Sequence, residues 1–177
     1  MLHTLKPHPD STCASVARID ASVSRQATLL TVRYVVHGDI AAMNIPPGVA
    51  PQRVDELWHH TCFEVFVRGA SAAYFEFNLS PSTQWAAYRF DAWRAGRMNA
   101  EITAPVITVN ASAERFELQA VIECAPLIEL RSHMWRVALS AVIEERRGGG
   151  TSYWALAHPP GKADFHHADG FAIELAA

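Results

Sequence analysis

Between Leu57 and Asp91 the chain reads LWHHTCFEVFVRGASAAYFEFNLSPSTQWAAYRFD, three alternating runs separated by two short turn-forming segments. Phe63, Val65 and Val67 alternate with Cys62, Glu64 and Phe66. Phe75, Phe77 and Leu79 alternate with Tyr74, Glu76, Asn78 and Ser80, and Ala86, Tyr88 and Phe90 with Trp85, Ala87, Arg89 and Asp91. A period of two sends successive side chains to opposite faces of a sheet. The stretch therefore reads as three consecutive antiparallel strands with one buried face. Arg68 to Ala72, with its glycine, suits a short hairpin loop, and Pro81 to Gln84 suits a four-residue loop around a type I turn. With Val67 opposite Ala73 and Ser80 opposite Trp85, Val65 meets Phe75, Phe63 meets Phe77, Phe77 meets Tyr88 and Phe75 meets Phe90. The other face then carries a row of Glu64, Glu76 and Arg89, flanked by Asn78, Ser80 and Trp85. Two carboxylates directly opposite each other repel, so the pair needs a cation, a shared proton or a polar ligand. Arg89 is the resident cation of that row. A plain surface charge network is the alternative, and a slip of two residues in either turn dissolves the row.

The rest of the chain repeats the pattern. Ser15 to Val23 and Thr28 to Val36 are alternating or β-branched and read as two strands or a hairpin. Ile102 to Asn110, Phe116 to Cys124, Met134 to Glu145, Ser152 to Ala157 and Phe171 to Leu175 each read as a strand. Long loops are expected at 43–55, which holds Pro46, Pro47, Gly48 and Pro51, and at 158–170. Trp93 to Met98 reads as a turn, Pro126 to Leu130 as a single helical turn and Arg146 to Gly150 as a solvated loop. Short strands with Gly/Pro turns and no long amphipathic helix predict an all-β fold, an antiparallel β-sandwich. Residues 1–12, with two prolines and two histidines, are expected to be a flexible leader on a single domain spanning 1–177.

Composition narrows the function classes. A chain of 177 residues, 50% hydrophobic and 19% charged, is of single-domain size and can bury a sizeable core. A net charge of −3 with a pI near 6.3 leaves no basic face to neutralise phosphates, so nucleic acid is not an expected partner. The first residues carry no apolar signal segment and no apolar run reaches the length of a membrane span. The expected location is the cytoplasm, with no membrane partner, and the oligomeric state is left open. Cys13, Cys62 and Cys124 are widely spaced, without a C-x-x-C pair, and read as reduced thiols.

Four segments carry a resemblance: L-W-x-x-T-C-F-E-x-F at Leu57 to Phe66, Y-F-E-F-N-L-S-P at Tyr74 to Pro81, Q-W-A-A-Y-R-F-D at Gln84 to Asp91, and H-P-P-G-K-A-D-F-H at His158 to His166. Together they resemble a bacterial DOMON-like family related to the family 9 carbohydrate-binding modules. The resemblance implies a jelly-roll or immunoglobulin-like β-sandwich with a ligand site on one sheet face and its rim loops. It further implies that Trp58 matches one wall of an aromatic clamp, that Glu64 matches a glutamate of the site, and that Phe75 to Asn78 matches an F-x-x-N strand. Glu76 stands there where a basic residue can occur. Phe165 is the nearest match to the second clamp aromatic. Another branch of the superfamily binds haem b through a methionine and a histidine; Met43, Met98 and the histidines supply the types, without a matched pair.

The residues themselves point the same way, because a flat aromatic beside carboxylates and an amide can stack on sugar C–H faces and hold hydroxyls in fixed geometry. Trp85, Trp93, Trp135 and Trp154 read first as packing residues. His59, His60, His158, His166 and His167, with Glu64 and Asp164, are raw material for a metal site, but no helical H-x-x-x-H or H-x-x-E-H spacing is present. Paired carboxylates also suit glycoside hydrolysis, against which stands the neutralisation of Glu76 by Arg89 in the register above. The expectation is a non-catalytic domain binding a saccharide or saccharide-like small molecule, with no cofactor. Its site would draw on Trp58, His60, Glu64, Glu76, Asn78, Trp85, Arg89, His158, Phe165 and His166. The alternative is a haem- or divalent-metal-dependent redox protein using the loop histidines.

Overall fold

The alternating runs become strands in the computed structural model, which describes residues 1–131, 134–148 and 150–176. They are β1 (Leu2–Pro7), β2 (Val16–Gln26), β3 (Leu29–Gly38), β4 (Cys62–Arg68), β5 (Tyr74–Leu79), β6 (Trp85–Phe90), β7 (Met98–Asn99), β8 (Val106–Ala111), β9 (Arg115–Glu123), β10 (Met134–Glu144), β11 (Thr151–Ala155) and β12 (Ile173–Ala176). Single 3-10 turns at Ile40–Ala42, Leu57–His59, Ile128–Leu130 and Ala168–Gly170 are the only helical elements among the described residues. Gly149, in the loop expected at 146–150, lies outside the described residues.

The fold is all-β with antiparallel strand pairing. Neighbours run β7-β6-β5-β4-β10-β11-β1-β2-β3-β9-β8, and β12 pairs with the start of β10. The sheet is continuous because β1 serves both halves: Leu2 to Leu5 pair with β2, while Lys6 and Pro7 pair with β11. Of the flexible leader expected at residues 1–12, Leu2–Pro7 instead form a strand at the middle of the sheet. Leu5 is buried in the core, and Pro7 falls at the strand's end, where its missing N–H disturbs least.

The sheet curls so that its two halves share one core. Ile19, Val32, Tyr34, Val36 and Phe116 of one half meet Phe63, Val65, Phe75, Phe77, Trp135 and Leu139 of the other. The Phe63 ring lies 5.0 Å from Tyr34 and stacks on Phe116 at 5.8 Å. Tyr34, buried among these rings, donates its hydroxyl to the Glu64 backbone carbonyl at 2.5 Å and so ties the halves together. β8 and β9 alternate as the period-two pattern requires, whereas β4 and β5 are buried along both faces.

The register corrects the sequence expectation at both hairpins. Arg68 pairs with Tyr74, so the first hairpin is displaced by two residues in register and keeps its faces: Glu64 stands opposite Asn78, with Glu76 opposite Phe66 and diagonal to Glu64. In the second hairpin Leu79 pairs with Trp85, a slip of one residue relative to Ser80 opposite Trp85, and a slip of one exchanges the faces of the third strand. Tyr88 and Phe90 therefore join the face of Glu76, while Trp85, Ala87 and Arg89 join the face of Phe75 and Phe77. The physical cause is Thr83, which adopts a left-handed backbone with φ of 73° and lengthens the connection by one residue. A β-branched residue rarely does so; here its hydroxyl donates to the Val49 carbonyl at 2.7 Å and holds the turn.

Replacing Tyr34 with Phe removes the hydroxyl without changing the ring. We expect a loss of about 1–2 kcal/mol, read as a fall of about 2–8 °C in Tm by calorimetry for a domain of this size. An unchanged Tm would show that the Tyr34–Glu64 bond does not join the two halves.

Candidate functional site

The outer face of β4 and β5 is where the chain places polar groups it then covers. Its side chains Cys62, Glu64, Phe66, Tyr74, Glu76 and Asn78 are all buried, and Arg68 at the hairpin end is half-buried. Two irregular segments do the covering. The first is 43–61, which runs along β6: Arg53 bridges to Trp85 in parallel, and its guanidinium donates to the carbonyls of Ala87 at 3.0 Å and Ala100 at 2.6 Å. It ends in the Leu57–His59 turn, whose preceding residue, Glu56, takes a left-handed φ of 62°. Such a non-glycine conformation costs on the order of 1 kcal/mol, and it is what turns the chain to bring Trp58 over the sheet. The second is 158–172, whose Phe165 and His166 face back toward β4, β5 and β6.

Between these segments lies a cleft of about 580 Å³ lined by Trp58, His59, Glu64, Glu76, Phe90, Arg94, Arg97, Val142, Thr151, Tyr153, Ala163, Phe165 and His166. Its floor is Glu64 and Glu76, at 3% and 5% exposure. The Ser140 hydroxyl of β10 donates to Glu64 at 3.3 Å, and the Asn78 side-chain amide donates to Glu76 at 2.7 Å. The walls are aromatic. The Trp58 ring meets Tyr88 edge-on at 6.0 Å, and Phe165 lies 6.1 Å from Tyr153. His166 sits in a box of Phe66, Tyr74 and Phe90 with ring separations of 5.1, 5.8 and 5.0 Å.

A chain of donors fixes this box. The Arg94 backbone N–H donates to the Tyr74 hydroxyl at 3.1 Å, which leaves the hydroxyl proton for His166 Nδ1 at 2.8 Å. His166 is thereby assigned the tautomer with its proton on Nε2, directed at Glu76 from 3.6 Å. Asp164 secures the rim by accepting from the Arg94 guanidinium at 2.8 and 3.0 Å and from the His166 backbone N–H at 3.1 Å. Arg97 stands over the rings of Tyr88 and Trp58 at 5.0 and 5.9 Å.

Burial governs the protons. It pushes the Glu64 carboxyl well above the usual carboxylate range; the neighbouring Glu76 pushes it further, and Ser140 and Arg94 pull back only in part. Burial raises Glu76 to about 7 against the pull of Asn78, Arg97 and Arg94. His166 is held down at about 4, first by burial and then by Arg94, against the pull of Asp164. The His166–Glu76 contact is accordingly no ion pair at neutral pH. Asp164 differs: burial works upward most strongly of any one cause, but Arg94, Trp93 and the His166 N–H together outweigh it and keep the carboxyl below its ordinary value. At neutral pH the floor is a pair of carboxyls carrying less than its full negative charge, ready to donate and accept hydrogen bonds.

Of the residues singled out from sequence, Trp58, Glu64, Glu76, Phe165 and His166 converge on the cleft, and Asn78 lies directly beneath it. Trp85 and Arg89 do not: the one-residue slip puts Trp85 in the inner core and joins Arg89 to Glu129 and Asp91 at 2.6 and 2.5 Å. The Glu64–Glu76–Arg89 row does not exist, and Glu76 is not neutralised by Arg89. His60 is exposed and bonded to Glu144 at 2.9 Å. His158 Nε2 is bonded to the Lys6 carbonyl at 2.8 Å, and burial lowers the pKa of its ring. Among the described residues, no group of three or more His, Cys, Asp or Glu side chains is placed to hold a metal ion. Sequence reasoning missed Ser140, Phe90, Arg94, Arg97 and Tyr153. Phe90 was recoverable from the alternation given the right turn; Ser140 reaches Glu64 through the pairing of β4 with β10, far apart in sequence, which no local signal announces.

No family model matches the chain, and no curated protein sequence is similar to it. Solved structures do share its fold. A protein from Bacteroides uniformis, described as a candidate carbohydrate-binding protein, matches with a TM-score of 0.68 at 14% identity over 99% of this chain and 85% of its own. A family 9 carbohydrate-binding module from Caldicellulosiruptor kristjanssonii in complex with glucose matches at 0.57 with 9% identity, over 94% of this chain and 78% of its own. A family 9 carbohydrate-binding module from the same organism in complex with cellotriose matches at 0.60 with 10% identity, over 99% of this chain and 81% of its own. The fold is thus an all-β architecture similar to that of carbohydrate-binding modules.

The floor makes stability depend on pH in a defined direction. Glu76 moves from about 4.5 to about 7 on folding, so its protonated form is favoured and stability is lost as pH rises through that window. His166 moves from 6.5 to about 4, which contributes stability as pH rises from about 4 to 6.5 and largely offsets Glu76 in the native protein. Glu76→Gln removes one side of that balance. Relative to the native protein the variant should gain on the order of 3 kcal/mol between about pH 4.5 and pH 7, measured by urea unfolding across that range. Parallel stability profiles for the two proteins would rule out a raised Glu76.

Proposed function

We propose that the protein is a non-catalytic binding module for a saccharide-like small molecule, held in the cleft between Trp58 and Phe165 over Glu64 and Glu76. One observation carries this reading: two buried carboxyls, each backed by a polar partner, floor a cleft whose walls are aromatic. A sugar ring has apolar C–H faces that stack on flat rings and equatorial hydroxyls that need donors and acceptors in its plane, and this cleft offers both. Partly protonated carboxyls suit a neutral polyol, because each can accept a hydroxyl proton or give its own. The glucose and cellotriose bound by the structural neighbours support the same ligand class. In the finer form of this reading the curled sheet is a DOMON-like β-sandwich and the ligand face is its β4–β5–β6 side.

Glycoside hydrolysis is less well served. It requires one carboxyl protonated and a second ionised across the scissile bond, whereas burial here pushes both Glu64 and Glu76 upward, against only partial pull from Arg94 and Arg97.

Isothermal calorimetry over a panel of neutral sugars that includes glucose and cellotriose tests the proposal. At least one member should bind, and Trp58→Ala should weaken it roughly 5- to 150-fold, the equivalent of about 1–3 kcal/mol for a lost aromatic contact. Glu64→Gln should weaken the same ligand. Failure of the whole panel to bind, or an affinity indifferent to both substitutions, counts against this cleft as the site.

A further inference from the structure

His166 also borders a second recess of about 330 Å³, lined by Arg68, Ala72, Tyr74, Trp93, His167 and Phe171 as well. His166 is the wall the two spaces share. The sequence suggested a packing role for Trp93, yet the structure leaves it 62% exposed, the most exposed large aromatic among the described residues.

An exposed indole on a free loop would mean little, but this one is held. Its Nε1–H donates to Asp164 at 3.1 Å, the carboxylate that also fixes Arg94 at the cleft rim. The turn that carries it is closed by hydrogen bonds from the Asp91 N–H to the Ala95 carbonyl and from the Ala95 N–H to the Ala92 carbonyl, both at 3.0 Å. It also needs two left-handed residues, Arg94 at φ 51° and Gly96 at φ 65°; a Cβ on Gly96 would fall 2.0 Å from an Asp91 carboxylate oxygen, so any other residue there would displace Asp91. With its one polar atom satisfied by Asp164, the exposed indole lines the recess. Beside it Arg68, with its guanidinium over the Phe171 ring at 5.0 Å, and His167 bring polar groups to the same space. An anchored indole flanked by polar groups repeats the chemistry of the cleft next to it.

We infer that Trp93 is the stacking platform of a second subsite, adjoining the cleft at His166, and that the ligand is a chain of at least two sugar rings rather than a single one. This rests on the saccharide reading above and extends it from ligand class to ligand length. It makes the 158–172 segment, through Asp164 and His166, the element that sets one subsite beside the other.

The test is the ratio of affinities within matched series: glucose against cellotriose, xylose against xylotriose, N-acetylglucosamine against its trimer, each measured by calorimetry. In whichever series binds, the trisaccharide should bind about tenfold or more tightly than the monosaccharide, and Trp93→Ala should bring that ratio close to one. Trp93→Phe, which keeps a ring face and loses the bond to Asp164, should retain most of the ratio and separates stacking from loop anchoring. A trisaccharide that binds no tighter than its monosaccharide overturns the second subsite and leaves the cleft reading standing. So does a ratio that survives Trp93→Ala because both affinities fall together. Absence of binding in every series overturns both.

Discussion

Covering β4 and β5 on both faces while leaving two carboxyls on the outer one is the constraint that the rest of this structure answers. A carboxylate in an apolar setting with few partners is strongly disfavoured, and the usual response is to keep its proton. Glu64 and Glu76 respond in that way, with Ser140 and Asn78 offering one hydrogen bond each rather than full neutralisation. The cations nearest the cleft are engaged elsewhere: Arg94 is paired with Asp164, and Arg97 lies on the rings of Tyr88 and Trp58. The floor is thus kept short of donors, and a polar ligand is the natural supplier of those it lacks.

The covering segments have to be pinned without a core of their own. Segment 43–61 uses the edge of β6, where Arg53 donates to two backbone carbonyls and sits 4.5 Å over the Trp85 ring, while Tyr88 donates to Asp55 at 2.7 Å. That arrangement also blunts a sheet edge that would otherwise be open to pairing. Segment 158–172 is pinned at its start by His158 to the Lys6 carbonyl and at mid-span by Asp164 to Arg94. The strand β1, whose register joins the two halves of the sheet, therefore also anchors one end of the loop that walls the site.

Much of this was legible in the sequence, and the parts that were not have identifiable causes. Period-two alternation located β4, β5, β6, β9 and β10, because each buries one continuous set of side chains against the common core. It also placed Glu64 and Glu76 on one face, since a register error of two residues preserves faces. The error of one residue at the β5–β6 turn did not, and it exchanged Arg89 and Trp85 for Tyr88 and Phe90 at the site. Nothing local reveals that Thr83 will take a left-handed backbone, because its hydroxyl bond to Val49 depends on a segment more than thirty residues away. Ser140, Tyr153 and Arg94 were invisible for the same reason: they reach the cleft by strand pairing and loop contact over long separations. The N-terminal strand was hidden by its prolines and histidines, which argue for a loose end unless the partner strands β2 and β11 are known.

A fold can persist while its residues change almost entirely, as identities of 9–14% across these neighbours illustrate. What persists in such cases is the burial pattern, which many residues satisfy, so function has to be argued from side chains that the fold does not need. The inner core of this protein is closed by Phe63, Phe75, Phe77, Trp135 and their neighbours and asks nothing of Glu64 or Glu76. Apolar residues at those two positions would pack against Phe66, Tyr74 and Phe90 with no charge to desolvate. The carboxyls instead sit where burial disfavours them, between rings held in place by left-handed backbone at Glu56 and Arg94. The site breaks the local rules of stability at the floor and at two supporting turns, and the ligand-binding proposal gives those departures a use that packing does not.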